Sequence, residues 1–212
     1  MGGQDAEGRV DRAGIELLVL QAVRLGGVAD TDAVVDRALL REVDVERTLD
    51  AASRAGWVER FTFGDTSGWI ITDDGSTRLA ELLRAEVLAR DATTVLEATH
   101  HAFEPLNDRF VALVSRWQLE SSPAAGAASA DKERLVSSLL TIGEQLREVL
   151  SELIRVLPRF GRYPAQYAAA AESARRGDLS WVAGVGFLSC HTVWAELHQD
   201  LLSTLGRDRS TP

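Results

Sequence analysis

The chain has 212 residues, 45% of them hydrophobic, and a formal charge of −9, enough length and apolar material for one large domain or two small ones with a real core. No run approaches the ~18 apolar residues of a membrane span, and the charged, glycine-rich start MGGQDAEGRVDRAG lacks the apolar centre of a signal peptide. A single cysteine, Cys190, excludes an intrachain disulfide framework and a multi-cysteine zinc site, so the expectation is a cytoplasmic protein that does not enter a membrane.

Residues 1–12 read as a tail. Gly14 to Leu25 carries Ile15, Leu18, Val19, Ala22 and Val23 at helical spacing and predicts a first helix, stopped by Gly26-Gly27. Asp30-Thr31-Asp32 offers a cap for a second helix over Asp32 to Leu40, with Val34, Val35, Ala38 and Leu39 turned inward. Arg41 to Val43 makes a turn, and Asp44 is the expected N-cap of a third helix that runs to about Ala55. Trp57 to Phe63 reads as a strand, Gly64 to Gly68 as the turn, and Trp69 to Thr72 as the returning strand. Thr72 then caps a long helix with Asp73 and Asp74 in its first turn, where the free amides favour negative charge. Leu79, Leu82, Leu83 and Val87 extend its apolar stripe towards Val95.

From there the pattern is helical throughout. Glu104-Pro105 reads as a helix start, followed by Leu106, Phe110, Leu113, Val114 and Trp117. Ser121 to Ala130 is small and uncharged, as a linker would be. Residues 131–157 form a further helix on Leu135, Leu139, Ile142, Leu146, Leu150, Leu153 and Leu157, with Pro158 at its end. Arg162 to Arg175 is a shorter helix. Asp178 or Ser180 caps the last one, to about Leu205, with Gly184 and Gly186 loosening its start.

In the third helix, Val45, Leu49 and Ala52 share the face expected to meet the core. The opposite face holds Arg47, Asp50, Ala51 and Arg54, with Glu46 and Ser53 near the edges. Arginine can give two hydrogen bonds to guanine, and aspartate can accept from the cytosine amino group, so this face could work in a major groove. An ordinary solvated face of mixed charge has the same composition. Asp50 and Glu46 fit solvation, or the positioning of an arginine, better than base reading. The hairpin adds Arg60 on one strand and Ser67 near the tip, where Asp65 would repel a phosphate; Arg41, ahead of the helix, is the better phosphate contact. Residues 1–90 hold 17 acids against 11 arginines, a balance of −6, which is unfavourable for DNA unless the positive groups cluster on one face. Lys132 is the only lysine, and arginine is the better side chain for bidentate contacts.

The segment ERTLDAASRAGWVER and the hairpin ending GWIITDDGSTRLAELL resemble the winged helix-turn-helix transcriptional regulators, in particular the MarR-like group. Leu49, Gly56-Trp57-Val58 and Ile71-Thr72-Asp73-Asp74-Gly75 carry the likeness, which covers about residues 13–88. The acidic third helix and the weakly basic hairpin depart from the pattern. The resemblance implies a mainly α protein: an N-terminal winged helix-turn-helix with a two-stranded β wing over 13–90, then an all-helical domain over 91–205 and a tail over 206–212. It implies double-stranded DNA as partner, bound by a homodimer through Arg41, Arg47, Asp50, Arg54, Arg60 and Ser67. Winged helices also dock proteins, so an acidic module that binds a protein partner is the alternative.

The helical half suits dimerisation and the sensing of a small-molecule effector. Its aromatics read mostly as core, and Trp117, Gln118, Arg162, His191, Trp194 and Glu196 combine apolar walls with orienting polar groups, as a ligand pocket requires. No metal is expected: His191 and His198, seven residues apart, lie ~10 Å apart along a helix, and the i,i+4 histidine pair of a helical zinc site is missing. His100 and His101 could add ligands from elsewhere in the chain, but nothing in the sequence says so. Cys190, within an apolar run, reads as a small buried residue. No glycine-rich phosphate loop, G-x-S-x-G elbow or H-E-x-x-H motif is present. The expectation is therefore a regulator without cofactor, not an enzyme.

Overall fold

In the computed structural model of the chain, residues 12–120 and 129–207 are described. The chain divides into two compact units, Met1–Glu86 and Val87–Pro212. It is mainly helical, with one two-stranded antiparallel sheet among the described residues.

The first unit contains α1 (Arg12–Gly26), α2 (Thr31–Ala38), α3 (Glu42–Arg54), β1 (Val58–Phe63), β2 (Thr66–Ile71) and α4 (Asp73–Ala89), whose last residues pass the unit boundary. Its core gathers Leu20 and Val23 of α1, Val34 of α2, Val45, Leu49 and Ala52 of α3, Trp69 of β2 and Leu79 and Leu83 of α4. The buried faces of α3 and α4 are those the spacing predicts, but α1 buries Leu17 and Leu20 where Ile15 and Leu18 are only half-buried, and Leu39, expected to turn inward, is 66% exposed because it ends α2 in a left-handed turn. Asp30 caps α2, its Oδ1 accepting from the Ala33 amide at 2.7 Å. The third helix begins earlier than expected, at Glu42. Arg41 holds the N-cap position and Asp44 lies inside the first turn, because α2 ends sharply at Leu39, which takes a left-handed φ of 53°. The turn between the strands is Gly64-Asp65 alone, since Phe63 pairs with Thr66 and Gly68 pairs with Phe61. Gly68 belongs in the strand for a steric reason. A Cβ there would lie 2.8 Å from the Ala29 backbone, which pairs with Trp69 as a short third rung of the sheet, Trp69 donating to the Ala29 carbonyl at 2.7 Å.

The start of α4 is a fitted joint. The Thr72 hydroxyl donates to the Gly56 carbonyl at 2.7 Å and accepts from the Gly75 amide at 3.0 Å. The Thr72 amide donates to the Trp57 carbonyl at 3.0 Å. A Cβ on Gly75 would lie 1.9 Å from that same carbonyl oxygen. Only glycine lets the helix approach so closely.

The second unit contains α5 (Thr93–Glu120), α6 (Ser129–Val156), a 3-10 turn (Pro158–Gly161), α7 (Arg162–Arg175), α8 (Ser180–Ala183) and α9 (Cys190–Thr204). Three expectations fail here. α4 does not reach Val95; it stops at Ala89, and Asp91, with a φ of 48°, turns the chain into α5. Glu104-Pro105 is not a helix start. Pro105 lies inside α5, on its exposed side, while Phe103, Leu106 and Phe110 continue one buried stripe through it; that packing outweighs the backbone hydrogen bond the proline removes. The last helix does not begin at Asp178 or Ser180. Ser180 opens the four-residue α8 instead, with Asp178 accepting from its amide and hydroxyl, Gly186 takes a φ of 91° beyond it, and Ser189 caps α9. The expected tail over 1–12 and the linker over Ser121 to Ala130 lie outside the described residues, except that Arg12 opens α1 and Ser129 and Ala130 open α6.

The core of this unit is a leucine-rich cluster with an aromatic group inside it. Trp194 of α9 stacks on Phe110 at 4.2 Å and on Phe103 at 5.1 Å, both from α5, and meets the edge of Tyr167 from α7 at 5.8 Å. Its Nε1 donates to Asn107 Oδ1 at 3.0 Å.

The joint at Trp57 predicts a large effect from one methyl group. Gly75→Ala forces a carbon into a backbone carbonyl and is expected to cost ~3 kcal/mol, the upper end of the range for overpacking, whereas Thr72→Val removes one cap and costs about 0.5–2 kcal/mol. Urea unfolding curves check the pair; a Gly75→Ala midpoint equal to wild type would disprove the tight joint.

Candidate functional site

The outward face of α3 is where the spacing places it. Arg47, Asp50 and Arg54 are exposed, Ala51 is half-buried, and Val45, Leu49 and Ala52 are buried. Glu42 and Glu46 are exposed alongside them. Arg41 is exposed at the head of the helix, where its Nε and Nη2 both lie 2.7 Å from Asp44 Oδ2. Arg47 lies 3.8 Å from the other Asp44 oxygen. Asp44, expected as a cap, thus orients two arginines instead. These are exposed pairs, worth little in water, and a phosphate can replace the carboxylate at small cost. Arg54 has no ion pair among the described residues. Arg60 lies over the Trp69 ring, 4.0 Å from its centre, which fixes the guanidinium against the hairpin. Ser67 is exposed on β2. The β1 end of the hairpin also exposes Phe63, 78% accessible, and Phe61 on the same face.

The six residues expected to line one pocket in the helical unit do not do so. His191 and Gln118 are exposed and Trp117 is half-buried. Trp194 is core. Arg162 and Glu196 do come together, 3.3 Å apart and buried, but inside a polar network the sequence reading missed. Arg159 donates to Asp200 Oδ1 at 2.5 Å and to Thr204 Oγ1 at 2.6 Å. Arg162 donates to the Tyr163 hydroxyl at 2.6 Å, and Tyr163 donates to Asp200 Oδ2 at 2.6 Å. Two guanidiniums face two carboxyl groups, and the cluster ties the start of α7 to α9. Its signal is the i,i+4,i+8 row Glu196, Asp200, Thr204 lying beside the apolar row Val193, Leu197, Leu201: polar residues at core positions demand buried partners.

Burial alone would push the Asp200 carboxyl up, but Arg159, Arg162 and the Tyr163 hydroxyl hold it below the usual carboxylate range. Burial and the neighbouring Asp200 push the Tyr163 hydroxyl well up, so it stays a donor. Burial pushes the Cys190 thiol up to about 12, which fits a small core residue and removes its nucleophilic form at neutral pH.

Space for a ligand lies elsewhere. A cavity of about 410 Å³ opens between α5 and α6, with Arg109, Arg116, Ser137, Ser138, Thr141 and Gln145 as its polar lining and Leu113 and Ile142 among its apolar lining. A smaller one of about 150 Å³ adjoins it at Leu113 and Arg116 and includes Trp117, which alone of the six expected residues lines either cavity. Arg109 and Arg116 have no ion pair among the described residues, and Gln145 Oε1 is buried without a hydrogen bond. Compared with family models, with curated proteins and with solved structures, the chain finds no match.

The buried network predicts a pH-dependent stability. A carboxyl held below its unfolded pKa, ~3.9, stabilises the fold above that value and loses the contribution as pH falls through the folded value. Asp200→Asn removes the buried carboxylate that faces Arg159 and Arg162 and is expected to cost ~3–5 kcal/mol at neutral pH, with the gap to wild type narrowing below about pH 4. Urea titrations at pH 7 and pH 3 read this directly; an equal gap at both would mean the folded carboxyl is not ionised.

Proposed function

We propose that the first unit is a winged helix-turn-helix and that the protein is a ligand-responsive transcriptional regulator which binds double-stranded DNA as a homodimer. The observation that carries the reading is the division of α3. Its Val45, Leu49 and Ala52 edge is buried, while Arg47, Asp50 and Arg54 face outward ahead of a hairpin bearing Arg60. In this reading α3 enters the major groove. Arg47 and Arg54 read base edges, Arg41 and Arg60 hold phosphates, Asp50 positions a neighbouring arginine, and Ser67 meets the backbone from the hairpin. Two copies engage half-sites one helical turn apart.

The effector belongs in the α5–α6 cavity, whose volume suits a small molecule. Two arginines without carboxylate partners and three hydroxyls favour an anionic one. Its binding would favour one spacing of the paired α3 helices.

A second reading is favoured by Phe63 and Phe61. A hairpin with exposed aromatics and Asp65 at its turn resembles a protein-docking edge more than a phosphate clamp. The two readings part on salt. A regulator should select a duplex from a random pool and lose affinity steeply as salt rises. Arg47→Ala should then weaken that duplex by roughly 1–3 kcal/mol and relax one base position, with Phe63→Ser near neutral. Fluorescence anisotropy on the selected duplex checks this. Failure to enrich any duplex, or binding indifferent to salt, would leave the docking reading.

A further inference from the structure

The fold brings together three side chains that lie far apart in sequence. His100 and Glu104 sit one turn apart on α5, and His198 comes from α9. His100 Nε2 lies 3.3 Å from Glu104 Oε1, and His198 Nε2 lies 3.9 Å from the same oxygen. One ligating atom from each residue falls within 4.8 Å of the other two. Seven residues along α9 separate His191 from His198 and His191 is exposed; His198 instead faces His100 and Glu104 across the helix interface.

We propose that His100, Glu104 and His198 form a binding site for a first-row divalent transition metal, Zn²⁺ in particular. Four arguments converge. The donor set of two imidazoles and one carboxylate is one that zinc uses in open sites. Donors around a tetrahedral ion with 2.0–2.2 Å bonds are separated by roughly 3.4 Å, so two of the three distances need only tenths of an ångström of adjustment. His100 Nε2 is buried without a hydrogen bond, an unmet polar atom that an ion would satisfy. Finally, the frame is stiff: the Phe103–Trp194–Phe110 stack and the Trp194–Asn107 hydrogen bond lock α5 to α9 next to the site, and Phe103 lies 5.6 Å from the His198 ring. The histidine side chains are 14% and 18% exposed, whereas Glu104 is half exposed and can swing to close the set. Three protein ligands leave a fourth position for water or another small donor. The proposal does not depend on DNA binding.

The alternative for the same geometry is a carboxylate that pairs with protonated histidines and takes no metal. Tag-free full-length protein, stripped with chelator and dialysed, separates the two. Titration with Co²⁺ should produce visible d–d absorption that saturates at one equivalent per chain and is displaced by Zn²⁺. His100→Ala and His198→Ala should each weaken Co²⁺ binding at least ~10-fold, Glu104→Gln should alter the spectrum, and His191→Ala should leave both unchanged. Thermal unfolding of each variant without metal checks that it folds; Glu104→Gln, at a half-exposed position, keeps the test open if a histidine variant does not. No Co²⁺ spectrum together with no stoichiometric Zn²⁺ binding by dialysis overturns the proposal, as does binding that survives loss of both histidines.

Discussion

The carbonyl of Trp57 is the point on which the first unit turns. It accepts from the Thr72 amide and at the same time abuts Gly75, so the chain leaving α3, the base of the hairpin and the first turn of α4 meet at one oxygen. The Thr72 hydroxyl closes the corner by bridging Gly56 and Gly75. None of these contacts is large in energy. Their effect is geometric: they fix the angle at which the hairpin departs from α3, and hence where Arg60 lies relative to Arg47 and Arg54. Any function that uses α3 and the hairpin together inherits its precision from this corner.

The second unit has a counterpart in Trp194. Its ring is gripped by Phe103, Phe110 and Tyr167, and its indole nitrogen is satisfied by Asn107, so burial of a large side chain carries no unmet donor. On α9, Trp194 precedes His198 by one turn; on α5, Phe103 stands between His100 and Glu104. The interaction that sets the register of the two helices therefore also sets the distance between the histidines. On the other side of α9, the buried network of Arg159, Arg162, Tyr163, Glu196 and Asp200 fixes its rotation. A helix held on both faces can keep a ligand set in place without the ligand.

Periodicity made the inward faces of α3 and α4 legible, because the i, i+3, i+4 pattern reports burial directly; it misplaced Leu39, which the sharp end of α2 turns out to solvent. The capping logic worked at Asp30 and Thr72, and the span of α7 followed from its pattern alone. It failed at Asp44, where a good capping residue is two positions inside a helix whose start is set by the sharp end of α2 at Leu39. It failed again at Pro105: proline preference describes isolated helices, while a continuous buried stripe decides a packed one. The six-residue pocket failed for a different reason. Arg162 and Glu196 read as orienting groups for a ligand, yet they are partners for residues 34 positions away in the chain, and single-sequence reasoning carries no information on such pairs. The histidine cluster was hidden in the same way: spacing along one helix can exclude His191 with His198, but it cannot place His100 and Glu104 beside His198.

The acidity of the first unit shapes the proposed DNA reading instead of simply opposing it. In that reading Arg41, Arg47, Arg54 and Arg60 would face a duplex, while Glu42, Asp44, Glu46 and Asp50 share the surface of α3. At physiological salt, charges beyond ~8 Å are largely screened, so what matters is this local balance and not the −9 of the chain. A surface with four arginines against four carboxylates gains little from counterion release, which is the term that supplies nonspecific affinity. Asp44 holds Arg41 and lies close to Arg47, and in the proposed complex phosphate or guanine would replace it. A site with the right guanines repays that exchange through bidentate bonds; a random site does not. Carboxylates on a reading helix thus lower affinity for all sequences while leaving the difference between sequences intact, so discrimination at α3 would come from the arginines that the acids hold in position.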